Sequence, residues 1–240
     1  MTRAASRPPS RIAARASARR PRARDPNLAT HSLLPRAALE RIGEHAVLLP
    51  GAAYAQAPAL LDALAGVIAA APWRHMLTPG GQRMSVAMTN CGAVGWVSDR
   101  RGYRYQASDP HSARPWPPMP QTLRTLAADV AAAAGFVGFA PDACLVNRYA
   151  PATRLSLHQD RNERDMAAPV VSVSLGLPAV FLFGGLRRAD PAQRLALVHG
   201  DVLVWGGAQR LAFHGIAPLA DGEHALTGRY RINLTFRKAL

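Results

Sequence analysis

The sequence predicts a mainly β protein, a β-sandwich or jelly roll flanked by helices. The C-terminal half breaks into many brief apolar or alternating runs separated by Gly, Pro or Asp turns. Only two stretches earlier in the chain carry helical spacing. A hydrophobic content of 49% over 240 residues is enough for one substantial core.

The chain opens on an arm. Residues 1–24 hold Arg3, Arg7, Arg11, Arg15, Arg19, Arg20, Arg22 and Arg24 with no acid, and the Pro- and Arg-rich composition to about residue 30 predicts disorder. The formal net charge is +14, and all basic residues but Lys238 are arginine. These eight arginines account for 8 of the 14, leaving +6 for the rest. A polyanionic partner is therefore favoured mainly by the arm. The acid-free Arg/Ala/Ser composition also fits a mitochondrial transit segment. We adopt the disordered arm and a cytoplasmic location as the expectation.

His31–Pro50 reads as an entry segment closing on the apolar run Ala46–Leu49, a strand. Helical spacing follows over Ala57–Ala70 through Leu60, Leu61, Leu64, Val67 and Ile68. Its apolar stretch contains Asp62 and ends at Pro72, well short of the roughly 18 residues needed to span a bilayer. A second helix is expected over Pro120–Ala134, with Gly135 after its end. Between the helices, residues 73–119 are rich in Gly, Pro and aromatics and read as short strands and long loops. Strands are then expected at Cys144–Tyr149, Arg154–His158, Val170–Leu175, Ala179–Phe183, Arg194–Val198, Val202–Trp205, Leu211–His214 and Tyr230–Arg237. The helices should pack on one sheet. Cys91 and Cys144 lack any CxxC or Cys/His spacing, which speaks against a zinc site or a disulfide framework.

Two segments carry chemistry. In Leu155-Ser156-Leu157-His158-Gln159-Asp160, alternate side chains of an extended chain share a face, so His158 and Asp160 can point inward together. His214 stands at the end of a later strand. Two imidazoles and a carboxylate form the facial set that holds non-haem iron(II) and leaves positions open. His-x-Asp alone also fits an ordinary strand end, and His199 with Asp201 precedes a strand and reads as a turn. In Arg231–Arg237, Arg231, Asn233, Thr235 and Arg237 share one face and Ile232, Leu234 and Phe236 the other. The polar face suits solvent, or a dicarboxylate gripped by guanidinium forks. Asn147 and Tyr149 could add donors.

The chain resembles the AlkB family of iron(II)- and 2-oxoglutarate-dependent nucleic-acid dealkylases. The resemblance lies in Thr78–Gly81, Met84–Gly92, Pro141–Leu145, Asn147–Pro151, Leu155–Asp160, Val171–Pro178, Gly200-Asp201 and Arg231–Arg237, covering about residues 46–238 in order. It implies a double-stranded β-helix (jelly-roll) core over about 140–238 and a substrate lid over about 73–119, within one dioxygenase domain of residues 31–240. His158, Asp160 and His214 would hold iron. Arg231 and Arg237 would bind the carboxylates of 2-oxoglutarate, with Leu145, Asn147, Tyr149 and Asn233 lining the same pocket. Trp96 and Tyr103 would belong to the lid, with Met88 beneath, and Trp96 and His158 would sandwich a flipped base. Gln159 and Asn162 would lie beside the base, Arg188 near its exposed edge, and Arg154 and Arg161 near phosphates.

Implied too are O2 as co-substrate, alkylated single-stranded DNA or RNA as partner, and a monomer with no obligate protein partner. At Asn162 the family pattern has an acid, and Glu163 follows it here. Two other readings remain: the same chemistry on a modified tRNA base or protein side chain, and a non-catalytic nucleic-acid-binding module. Met84 and Met88 on spacing alone suit core packing, and Trp116 the edge of a core.

Overall fold

A strand that alternates polar and apolar residues has two unlike faces, and a central strand must bury both. The computed structural model, which describes Met1 and residues 39–240, places such a strand near the middle of its large sheet. The arginine-rich arm lies outside the described residues. In chain order the elements are β1 (Glu40–Gly43), β2 (Ala46–Leu49), α1 (Ala57–Ala70), β3 (Ala87–Gly92), β4 (Gly95–Asp99), β5 (Gly102–Gln106) and α2 (Gln121–Ala133). There follow β6 (Ala143–Tyr149), β7 (Leu155–His158), β8 (Val170–Gly176), β9 (Ala179–Phe183), β10 (Gln193–Leu197), β11 (Val202–Trp205), β12 (His214–Ile216) and β13 (Arg231–Arg237). No described helix is long and apolar enough to cross a membrane.

The large sheet runs β1-β2-β11-β8-β13-β6-β3, the small one β10-β9-β12-β7, and β4-β5 form a separate hairpin. β13 pairs antiparallel with both β6 and β8. Its odd-numbered residues oppose Tyr149, Asn147 and Leu145 on one side and Gly176, Ser174 and Ser172 on the other. Because the side-chain period is two, these residues line one face together.

The opposite face is apolar. Ile232, Leu234 and Phe236 join Val146, Val171 and Val173 against Leu60, Leu64 and Val67 of α1 and Leu123, Leu126 and Val130 of α2. The helices thus cover one sheet, as expected, and the i, i+3/i+4 spacing that predicted them is the stripe they bury. A second core fills the space between the sheets, with Leu145, Tyr149 and Trp205 from the large sheet and Phe181, Phe183 and Ile216 from the small one. All seven residues of β13 are buried, so its polar face lines the interior and not solvent.

Within 73–119, read as short strands and long loops, Ala87–Gly92 is an outer strand of the large sheet, paired with β6 in full register. One expectation is revised. Residues 211–213 are not strand: a 3-10 turn at Gly207–Gln209 is followed by an Ala212 N–H to Gln209 carbonyl bond, so the chain is still turning there. β12 begins at His214 instead of ending there.

The end of β8 beside Arg231 is tightly built. Gly176 has φ +89°, and a Cβ on it would lie 2.5 Å from the Tyr230 carbonyl oxygen. Gly176→Ala is expected to destabilise the fold by about 1–3 kcal/mol, read from denaturant midpoints. The Gly176 N–H donates to His199 Nδ1 at 2.9 Å, so His199 and Asp201 do form a turn, Asp201 accepting from the Gly51 and Val198 N–H groups. Burial, with His224 close by, pushes the His199 imidazole down to about 4. Folding lowers its proton affinity, so the unfolded chain protonates first. Stability is complete above pH ~6.5, the unfolded value, and should be lost as pH falls through about 4. Melting temperatures over a pH series should show a shallower acid loss in His199→Gln than in the parent.

Candidate active site

β7 and β12 are antiparallel neighbours, and His158 and His214 are directly opposed in their register. That places the two rings 4.3 Å apart between centroids. Asp160 lies two residues beyond His158, past the strand end, and its carboxylate turns inward to 3.9 Å from His158 Nε2 and 3.7 Å from His214 Nε2. One ligand atom from each of the three residues falls within 4.8 Å of the others. The ring orientations suit a metal. His158 Nδ1 lies 2.9 Å from the Ser156 carbonyl and His214 Nδ1 3.0 Å from the Ala212 carbonyl. A carbonyl only accepts, so both Nδ1 atoms carry the proton and both Nε2 lone pairs face Asp160.

The charges agree. His214 is packed among Phe181 and Trp205, and burial, with His158 adjacent, pushes its imidazole down to about 3, keeping the neutral form a metal requires. Burial opposes ionisation of Asp160, but Arg237, then the two imidazoles and Arg210, hold its carboxyl well below the usual range. His158 is 34% exposed where Asp160 and His214 are buried, so the open side of the cluster is at His158.

Arg231 suits a dicarboxylate. Its side chain is fully buried, with Nη2 donating to Ser174 Oγ at 2.9 Å and the Tyr149 ring 5.1 Å from its guanidinium carbon. Nε and Nη1 have no hydrogen-bond partner, and burial pushes the guanidinium below its ordinary value. A buried cation with two open donors suits an anionic ligand. Asn147 Oδ1 is also buried and unpartnered, while Asn233 is occupied by Ser172, Val173 and Thr235.

Arg237 is different. Its Nε and Nη2 both reach Asp160 Oδ2, at 2.8 and 2.7 Å, and it also meets Glu163 at 3.4 Å and the Tyr105 hydroxyl at 3.4 Å. The carboxylate that Arg237 meets in the structure is the chain's own Asp160.

A model of the 2OG-Fe(II) oxygenase superfamily matches residues 45–237. The alpha-ketoglutarate-dependent dioxygenase AlkB of Salmonella typhimurium is 56% identical over 200 residues, 83% of this chain and 93% of that protein. The chain belongs to the AlkB dioxygenases. Escherichia coli AlkB is 55% identical over the same shares of both proteins. The solved structure of OsALKBH1 superimposes with a TM-score of 0.73 at 26% identity, covering 84% of this chain and all of that one.

As an AlkB dioxygenase the protein is an iron(II)- and 2-oxoglutarate-dependent enzyme that consumes O2, on the double-stranded β-helix expected from the sequence. The other residues implied by the resemblance sit as follows. Trp96 and Tyr103, on the β4-β5 hairpin, stack with centroids 5.6 Å apart and planes 14° from parallel. Trp96 packs against the inter-sheet core that holds Met88, Leu145 and Tyr149. Met84 packs on the same core, and Trp116 is buried beside Ala71 and Val97, so both serve the packing read from the sequence. Arg188 lies over the Phe213 ring and donates to the Leu157 carbonyl. Arg154 and Arg161 are exposed. Gln159 Nε2 donates to the Leu211 and Leu186 carbonyls.

Asn162 is exposed and Glu163 buried. Glu163 accepts from the Tyr105 hydroxyl at 2.7 Å and pairs with Arg210 and Arg237. Tyr105, Glu163 and Arg210 were not singled out from the sequence for this role, and nothing in their spacing signals it.

Proposed function

We propose that this protein removes N-alkyl groups oxidatively from bases such as 1-methyladenine and 3-methylcytosine in single-stranded DNA or RNA, working as a cytoplasmic monomer. The observation that carries the reading is the three-residue ligand cluster, its histidines on the small sheet, together with a fully buried arginine on β13 of the large sheet that has two unpaired donors. AlkB relatives named as dioxygenases, and human ALKBH1, named a nucleic acid dioxygenase, support the class of target.

With iron(II), 2-oxoglutarate and O2 bound, the site supplies oxygen insertion at the N-alkyl carbon, yielding succinate and CO2, after which the hydroxylated group leaves as formaldehyde. The chain's part is positional. His158, Asp160 and His214 would occupy one side of the metal, leaving the rest for co-substrate and oxygen. Arg231 would seat one carboxylate of 2-oxoglutarate, with Tyr149, Asn147 and Leu145 around it. Trp96, stacked on Tyr103, and the half-exposed His158 ring offer faces for a base. The base must leave its stack to reach them, least costly in a single strand.

Asn162 bears on substrate range. With Glu163 occupied by Tyr105, Arg210 and Arg237, no free carboxylate follows the metal aspartate in the chain before Asp165, which itself caps the Ala167 and Ala168 N–H groups. Formaldehyde release should be measured on oligonucleotides carrying cationic 1-methyladenine or 3-methylcytosine and on neutral methylated bases. Asn162→Asp is expected to shift preference toward the cationic bases by about 1 kcal/mol, roughly fivefold. Release from none of these, with turnover of a methylated tRNA or protein, would give the reaction a different target.

A further inference from the structure

Arg210 belongs to no ligand set, yet it is a cation with 2% exposure. Its contacts converge on one segment. Nη1 donates to the Asp160 carbonyl at 2.8 Å, Nε donates to the Ala168 carbonyl at 2.9 Å, and Nη2 pairs with the Glu163 carboxylate at 3.3 Å. Residues 159–169 contain no helix or strand, so Asp160 is not held by a ladder of backbone bonds. Arg210 stands four residues before His214, at the end of the 3-10 turn that leads into β12. One guanidinium therefore ties the segment bearing the metal carboxylate to the segment bearing the second imidazole.

The tie reaches the carboxylate by two routes. Directly, it fixes the backbone of Asp160. Through Glu163, it anchors the acid that faces Arg237, the same guanidinium that holds Asp160 Oδ2. The Tyr105 hydroxyl, from the hairpin that carries Trp96, donates to the other oxygen of Glu163. Removing Arg210 would free Glu163 to compete with Asp160 for Arg237.

We propose that Arg210 is a positioning residue for the metal site, setting both the backbone and the carboxylate of Asp160 relative to His214. The proposal rests on His158, Asp160 and His214 being the metal ligands. Partners that orient metal ligands typically matter by 10- to 100-fold in metal affinity.

The test is anaerobic cobalt(II) titration of the full-length protein, followed by visible absorption and without 2-oxoglutarate. Arg210→Met should bind cobalt(II) about 10- to 100-fold more weakly. Arg210→Lys, which keeps the charge but cannot reach Asp160, Glu163 and Ala168 together, should fall between it and wild type. Arg148→Met, which removes a cation stacked on Trp73 and Tyr230 away from the metal cluster, should leave cobalt(II) affinity unchanged whatever it does to stability. Should Arg210→Met not fold, the charge-neutral pair Arg210→Met/Glu163→Gln takes its place; with no carboxylate at 163 to compete for Arg237, its weakening comes through the lost hold on the Asp160 backbone and should be smaller, though more than about twofold. Cobalt(II) affinity within twofold of wild type in the folded variant overturns the role and leaves Arg210 a loop brace. A wild-type protein that binds no cobalt(II), or binds it equally after His158→Ala, overturns the ligand assignment and this role with it.

Discussion

Asp160→Ala should abolish formaldehyde release and also destabilise the metal-free protein, on the order of 3 kcal/mol. The chemical loss follows from removing the anionic member of the three-residue set, since two opposed imidazoles alone cannot fix a metal on one face. The stability loss has a separate origin. Arg237 is buried, and Asp160 Oδ2 accepts its Nε–H and pairs with its Nη2 at 2.7 Å. Without that oxygen the guanidinium keeps only Glu163 and Tyr105, each at 3.4 Å. A buried charge robbed of its main partner is costly. Asp160→Asn, which keeps a carbonyl oxygen for Arg237, should retain more of the stability and still lose turnover. Urea denaturation of the three proteins beside a formaldehyde assay separates the two effects, and substantial turnover in Asp160→Ala would end the ligand assignment.

Arg231→Met should do the opposite to the fold while also damaging function. Two of the Arg231 nitrogens are unpartnered in a fully buried setting, so the metal-free protein carries a poorly compensated cation. An apolar side chain of similar length there should raise stability, by about 1–4 kcal/mol. Loss of a buried charge pair with 2-oxoglutarate should weaken its binding by about 2–5 kcal/mol, roughly 30-fold to several-thousand-fold. The KM for 2-oxoglutarate and the melting temperature of the metal-free variant should therefore both rise. An unchanged KM would remove Arg231 from the co-substrate pocket, and a lowered melting temperature would mean its charge is better satisfied than its contacts indicate.

What could be read from the sequence was whatever depends on local periodicity. The bounds of α1 coincide with the helical spacing over Ala57–Ala70, and β2, β9 and β11 coincide with apolar runs between turn residues. The extent of β3 within the loop-rich stretch was not legible, since its Thr89-Asn90 centre is polar and is buried only because β6 pairs with it. The start of β12 was masked for a similar reason: Leu211-Ala212-Phe213 looks extended in composition, but the turn bond from Gln209 bends it.

At the site, His158 and Asp160 were legible through their spacing of two. His214 could be named as the third candidate from its place near a later strand, but its direct opposition to His158 could not, because cross-strand register has no local signature. The double engagement of Arg237 and the links among Tyr105, Glu163 and Arg210 join positions 47 to 132 residues apart. Contacts of that range arise only once the sheets have closed.

β13 gives the molecule a particular kind of fidelity. Its two faces serve opposite masters, helices behind and reactants in front, and both neighbouring strands fix its register. A slip by a single residue would thrust guanidinium groups into the greasy seam beneath α1 and α2 and turn phenylalanine toward the reactants. Misthreaded chains would thus be penalised on both sides at once, so a molecule that reaches its native state arrives with its anion seat already aimed.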